Sequence, residues 1–275
     1  MKRLIVIAVL ALLALPLARL YLASGRLEQA REHAELGLAA DPPTEAIESR
    51  AMDILKRSTD HLAKAGRFSM VLAYSYDALQ PSGQKIEFGG MRKALISRPG
   101  SARIEFSRRD GLKGTLLYDG KTATLYNDEL KVYTQIQREG TIGEVMDFLA
   151  DEVDIPIPAR DFLSENARAI LTGNLMSARY LGESIIDGVA CDHVALQTPD
   201  VDYQVWVMRG EATLPKRVVI DYKNAPGRPQ FRGQFISWDT APTIAESDFE
   251  FKPEAGMERI PLIIRSGFNL EGAGQ

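Results

Sequence analysis

Cysteine is all but missing from this chain: Cys191 stands alone among 275 residues. No internal disulfide can form, and the thiolates of a structural zinc site are absent. Cys191 also lies far from the N-terminus, so no lipid-modified N-terminal cysteine is available. There is no Gly-x-Ser-x-Gly elbow, P-loop or Gly-x-Gly-x-x-Gly turn, so hydrolase and nucleotide chemistry have no motif to rest on. Basic excess is lacking too. Thirty-three Lys and Arg face 37 Asp and Glu, a net charge of -4, which gives no footprint for nucleic acid. At 45% hydrophobic and 25% charged residues, the composition excludes a disordered or collagen-like chain.

One long apolar run is present. Lys2 and Arg3 precede an unbroken stretch over residues 4–15, extended by Pro16, Leu17 and Ala18 and ended by Arg19. A short basic start before such a run is the pattern of a secretory signal. The run is short for a membrane span, which needs about 20 apolar residues. The small-x-small cleavage triplet is imperfect, so residues 1–23 are read as a signal peptide or an uncleaved signal anchor. Cleavage would leave the remainder more acidic, which argues against tight docking on anionic headgroups.

Residues 24–43 carry Leu27, Ala30, Ala34 and Leu38 at helical spacing, a helical linker. A second helix is expected after Pro43-Thr44, with Ile47, Ala51, Ile54, Leu55, Leu62 and Ala65 on one face and Gly66 closing it. From Arg67 the period becomes two. Phe68, Met70, Leu72, Tyr74 and Tyr76 alternate with smaller residues. Turn signals follow at Pro81-Ser82-Gly83, Gly89-Gly90, Pro99-Gly100, Asp110-Gly111, Asp119-Gly120 and Asn127-Asp128. They separate strands expected at 85–88, 93–97, 102–107, 115–118, 122–126 and 131–136. A helical interlude covers 141–171. Thr141 opens a capping box, Pro156 and Pro158 break the first helix, and a second runs over about 159–171. Strands return at 178–186, 190–197, 203–208, 216–222, 230–238 and 248–251, with Asp187-Gly188 as a hairpin turn. No βαβ alternation occurs, so a parallel nucleotide-binding sheet is not expected.

Several segments then carry a family likeness: Ser82-Gly83-Gln84-Lys85, the Arg98-Pro99 turn, Tyr118-Asp119-Gly120-Lys121-Thr122, and Thr141-Ile142 with Asp147-Phe148-Leu149. To these add Asp187-Gly188-Val189-Ala190-Cys191-Asp192-His193, Pro199-Asp200-Val201-Asp202-Tyr203-Gln204-Val205-Trp206, Leu214-Pro215-Lys216 and Ser247-Asp248-Phe249-Glu250-Phe251. Together they resemble the bacterial predicted periplasmic protein family classed as domain of unknown function 2092, over about residues 44–262. That family is similar in layout to the lipoprotein-carrier fold of LolA, LolB and the RseB N-terminal domain. The resemblance implies a mainly β (α+β) chain: an open antiparallel β-barrel over 44–262, its concave face covered by the N-terminal helix and a helical lid at 141–171. Residues 263–275 are expected to form a flexible tail. It also implies a periplasmic location, or attachment to the inner membrane if residues 1–23 stay in place. No catalytic residue is carried across.

The expected work is binding of a hydrophobic ligand, a lipid or the acyl groups of a lipoprotein, without catalysis, cofactor or metal. The cavity residues would be Phe68, Met70, Leu72, Tyr74, Phe106, Leu117, Val205 and Trp238. Phe148, Leu149, Phe162 and Leu163 would form the lid. Phe88, Leu95, Ile104, Tyr126, Tyr133, Val207, Val219, Phe231 and Phe235 complete the apolar set. An alternative is a sensor or interaction module with an envelope protein partner, as in RseB. A further alternative is an enzyme built on Cys191 and His193, which share one face of a strand, with Asp202. Against it, two ligands make no structural zinc site, and His33 and His61 lie far off. Asp192, Asp200 and Asp202 match no calcium loop, and Pro199-Asp200 is a natural turn. Arg103, Arg108, Arg109 and Lys113 form a basic cluster, either a solvated rim or a surface for an acidic partner.

Overall fold

The computed structural model describes residues 46–153, 157, 160–164 and 166–261. The expected signal segment 1–23, linker 24–43 and tail 263–275 lie outside the described residues. Helix α1 spans Ser49–Lys64. The strands are β1 (Arg67–Leu79), β2 (Lys85–Ser97), β3 (Ser101–Arg108), β4 (Lys113–Tyr118), β5 (Thr122–Asn127) and β6 (Val132–Gln137), then β7 (Ser177–Ile186), β8 (Val189–Gln197), β9 (Val201–Met208), β10 (Pro215–Tyr222), β11 (Gln230–Asp239) and β12 (Glu258–Arg259). Between β6 and β7 lie α2 (Ile142–Asp151), a 3-10 turn at Arg160–Phe162 and α3 (Ala167–Thr172).

The strands form one sheet in the order β12-β6-β5-β4-β3-β2-β1-β11-β10-β9-β8-β7. Consecutive hairpins build each half, and β1 pairs with β11 to join the halves. Every pairing is antiparallel except the two-residue β12–β6 contact. The sheet does not close on itself: β12 and β7 are its two edges. This is the open, mainly β architecture that the resemblance implies. Among the described residues no helix is long and apolar enough to cross a membrane.

Helix α1 buries Ala51, Ile54, Leu55, Ser58, Thr59 and Leu62, one stripe at helical spacing. Ile47 stands outside that stripe, 49% exposed. It lies before the first helical turn and bridges Ala178 of β7 instead. The start of α1 is fastened there: Glu48 N–H donates to Ala178 O at 2.9 Å, and the Glu48 carboxylate accepts from Tyr180 N–H at 2.9 Å. Thr141 caps α2 in a full capping box with Glu144.

Three local expectations change. Gly89-Gly90 is not a turn: β2 runs straight through it. A Cβ on Gly89 would stand 2.3 Å from Tyr74 O, and one on Gly90 would stand 2.2 Å from Ser107 O. The glycines let β1 and β3 close in from both sides, which is the other use of glycine in a strand. Residues 248–251 are not a strand. Glu246–Asp248 forms a 3-10 turn held by Ala245 N–H donating to Asp248 Oδ2 at 2.8 Å. The second helix of the interlude is shorter than expected: among the described residues of 159–171 the α-helix begins at Ala167, as Ala167–Thr172, after the separate turn at Arg160–Phe162.

Candidate functional site: the concave face

Strand alternation sends every second residue of β1 to one side of the sheet. Phe68, Met70, Leu72, Tyr74, Tyr76 and Ala78 are all buried there. The antiparallel register carries this face across the neighbouring strands. Met70 lies level with Ala94 of β2, which lies level with Ile104 and then Leu116. Leu72 lies level with Arg92, Phe106 and Gly114. On the other side Val205, Val207, Val218, Phe231 and Phe235 continue the same apolar cluster.

The interlude covers this face. Val145, Met146, Leu149, Phe162 and Leu163 all join the core. Phe162 meets Phe235 edge-on at 5.9 Å, and Phe235 stacks on Trp238 at 4.8 Å. Trp238 is half-buried and donates Nε1–H to Pro215 O at 2.8 Å. Phe148 is also half-buried, with the Arg138 guanidinium 4.8 Å from its ring centre. Hydrogen bonds tie the interlude to the rest of the fold near both ends. Ile142 N–H donates to Pro99 O at 3.0 Å, Tyr118 Oη donates to Gly140 O at 2.8 Å, and Tyr203 Oη donates to Leu171 O.

Eleven of the twelve residues named as cavity or lid therefore meet around one apolar layer. Leu117 is the exception. Leu116 and Tyr118 enter the core, so the residue between them is buried on the opposite, outer face. Leu95, Tyr126, Tyr133 and Val219 are also out of phase with the core positions of their strands. On the outer face Phe251 packs between Tyr126 and Tyr133, at 5.1 and 4.9 Å. A groove lined by Phe106, Leu125, Tyr126, Val132 and Ile260 holds about 20 Å³, room for about one water.

Sequence reasoning missed Arg92. It shares the concave side with Phe88, Ala94 and Ile96, and its guanidinium stands 5.0 Å from the Tyr74 ring centre. Reading Gly89-Gly90 as a turn cut β2 and hid the phase that places Arg92 there.

The reactive candidates do not assemble. Cys191 is buried on the outer face, and burial pushes its thiol above the ordinary value. His193 stacks on Trp206 at 4.1 Å and its Nε2 lies 3.0 Å from Gln204 Oε1. Burial holds its pKa below the ordinary histidine value. Asp202 pairs with Lys223 at 2.9 Å, Asp192 accepts from Tyr180 Oη at 3.1 Å, and Asp200 accepts from Asn224 at 2.8 Å. Among the described residues no three His, Cys, Asp or Glu side chains converge as a metal site would require. The basic cluster is neutralised locally: Arg103 with Glu105, Arg108 with Asp110, Arg109 with Glu87 and Lys113 with Glu129.

Fold and face define an open antiparallel sheet whose apolar concave face is packed under a helical cover. The chain belongs to the family described as predicted periplasmic protein (DUF2092), which matches residues 51–263. That description places it in the periplasm. No curated protein matches the sequence. Among solved structures, the chain is similar to LprF from Mycobacterium bovis at 16% identity, covering 72% of this chain and 97% of that one, with a TM-score of 0.47. It is similar to a LolA superfamily protein of Nitrosomonas europaea at 12% identity, covering 73% and 97%, with a TM-score of 0.37. It is also similar to a chain of the Pseudomonas aeruginosa MucA/MucB complex at 17% identity, with a TM-score of 0.42. There 74% of this chain is covered and only 62% of the other.

Proposed function

We propose that the protein is a non-catalytic periplasmic carrier that holds a hydrophobic chain between the concave face and the 141–171 cover. The observation that supports this most is the pairing of a continuous apolar face with a cover built from short helical pieces. Such a cover exchanges one set of apolar contacts for another when a guest replaces it. Each CH₂ of the guest contributes about 0.8 kcal/mol. A chain of about 12–16 carbons is then held without a specific polar contact, even after ordering costs are subtracted. Phe68, Met70, Leu72, Tyr74, Phe106, Val205 and Trp238 would form the floor. Phe148, Leu149, Phe162 and Leu163 would form the moving side. Guest and cover compete for one surface, so a cover that swings out opens the room that its own side chains fill when closed.

The test has two parts. Purified protein is extracted and the extract analysed by mass spectrometry for lipid, and the stripped protein is titrated with N-phenylnaphthylamine, a neutral apolar fluorophore. Lipid in the extract, or a fluorescence rise that Leu149→Asp abolishes, is the expected result. A protein that carries no lipid and leaves the fluorophore dark sinks the reading.

A second reading, an interaction module, draws on edge strand β7. Leu181 is 49% and Ile185 76% exposed there, and exposed apolar residues on an edge strand invite a partner. Envelope extracts passed over the wild type and Ile185→Asp would retain a partner on the first alone.

A further inference from the structure

One end of the concave face carries a polar corner of defined composition. Along β2, Phe88, Arg92, Ala94 and Ile96 share one side. Arg92 lies level with Leu72 of β1 and Phe106 of β3, so aliphatic and aromatic groups flank it across the sheet. Tyr74, Tyr76 and Phe88 form a run of stacked rings beside it, with centres 6.4 and 6.0 Å apart. Arg108 lies level with Gly90, which offers no side chain between them, and its own side chain is only 10% exposed. Two guanidinium groups and two phenols therefore meet at this corner, with Asp110 as the carboxylate paired to Arg108.

Depth is graded along the face. Leu72 and Met70 are fully buried, whereas Arg92, Phe88 and Phe106 are half-buried, with Arg92 Nε shielded from solvent. The corner is thus a rim where the apolar layer meets water. A guanidinium keeps its charge at any physiological pH and presents a planar fork of donors. That fork matches a carboxylate or phosphate in a bidentate manner.

We propose that the guest of this face is an anionic amphiphile, its acyl chain along the apolar floor and its carboxylate or phosphate head group at Arg92, with Arg108, Tyr74 and Tyr76 around it. This assignment rests on the carrier reading and names the class of ligand. The permanent charge of Arg92 selects head groups by sign. The fork selects planar or tetrahedral oxyanions over zwitterions that carry their own cation close by.

The experiment is displacement of N-phenylnaphthylamine from the stripped full chain by hexadecanoate, hexadecyl phosphate, methyl hexadecanoate and inorganic phosphate. The two charged amphiphiles should displace it at concentrations about tenfold or more below the methyl ester, as expected for a charged hydrogen bond. The stronger of them identifies the head group. Arg92→Met, which keeps length and apolar packing, should bring the acids level with the ester and leave the ester unchanged. Arg92→Lys, which keeps charge without the fork, should fall between. An unchanged preference in Arg92→Met, or no preference in the wild type, overturns the assignment while the carrier reading stands. Displacement by inorganic phosphate as strong as by hexadecyl phosphate also overturns it, because the chain would then contribute nothing. If the ester and both acids all fail, the carrier reading falls and the assignment falls with it.

Discussion

The two faces of the sheet are built from alternate residues of the same strands, yet they set charge in different surroundings. On the outer face charges meet in cross-strand or near-neighbour pairs. Arg232 holds Asp77 with bonds of 2.9 and 3.3 Å, Arg109 meets Glu87 at 2.9 Å, and Arg228 meets Asp221 at 3.1 Å. On the concave face Arg92 stands among Leu72, Tyr74 and Phe106. On the outer side charge sits among charges, whereas Arg92 sits among rings and an aliphatic side chain. The difference teaches that the basic residues most visible in the sequence, Arg103, Arg109 and Lys113, are the least informative about binding. Arg92, set among apolar side chains, is more informative.

The contrast breaks first at the core. Phe235 is 1% exposed and touches both Phe162 and Trp238, whereas its neighbour Ile236 points outward, 50% exposed. Phe235→Ala should lower unfolding free energy by about 3–5 kcal/mol in urea titration. Ile236→Ala should change it by no more than about 0.5 kcal/mol. Equal losses would mean that the outer face is as tightly packed as the inner.

Asp77 sharpens the outer face. Burial alone would raise its carboxyl pKa, but the Arg232 guanidinium and the Gln230 N–H together hold it below the ordinary 3.8. A carboxyl lowered in the folded state binds fewer protons than in the unfolded chain. Its stabilising contribution is therefore complete above the ordinary carboxylate range and lost as pH falls through the lowered value. Asp77→Asn should cost about 1–2 kcal/mol near neutrality. It should also flatten the stability-against-pH curve below about pH 4. A variant whose acid unfolding matches the wild type would show that the pair carries no such linkage.

Thr141 stands where the cover begins. Its hydroxyl accepts from Glu144 N–H at 3.3 Å while the Glu144 carboxylate accepts from Thr141 N–H at 2.8 Å. Thr141→Ala should cost about 1 kcal/mol, typical of a lost cap. The loss should be local: faster amide exchange over 142–151 with exchange in β1 unchanged. Uniform acceleration would show that cover and sheet open as one unit rather than separately.

Much of this plan is legible in the residues. Period-two runs mark the strands, and Asp187-Gly188, with φ of 50° and 75°, forms the two-residue hairpin that its chemistry announces. Thr141 announces α2. What the sequence hides is phase and partnership. Thr115-Leu116-Leu117-Tyr118 offers two adjacent leucines, and only the register shows that Leu116 is inside and Leu117 outside. A glycine pair serves equally as a turn or as a place of close backbone approach, so Gly89-Gly90 concealed both the continuity of β2 and the side taken by Arg92. Phe249 and Phe251 alternate like a strand because both have somewhere apolar to go. For Phe251 that place is the back of the sheet, against Tyr126 and Tyr133, and Phe249 is buried as well. The β1–β11 pairing joins chain segments too distant for any local signal.

The smallest effect tests the claim about matched charge most directly. Lys113 and Glu129 lie 2.9 Å apart on the outer side, with side chains 63% and 61% exposed. Water already satisfies both, and ordering two long side chains offsets most of the attraction. A double-mutant cycle with Lys113→Ala and Glu129→Ala should give a coupling of a few tenths of a kcal/mol, shrinking with added salt, about 0.5 at most. The pair's worth is then in cancelling charge rather than in holding the fold. Lys113→Ala should accordingly leave displacement of N-phenylnaphthylamine by hexadecanoate unmoved where Arg92→Met shifts it. If Lys113→Ala weakens hexadecanoate as strongly as Arg92→Met does, both faces feel one diffuse field, and the separation of roles between them is lost.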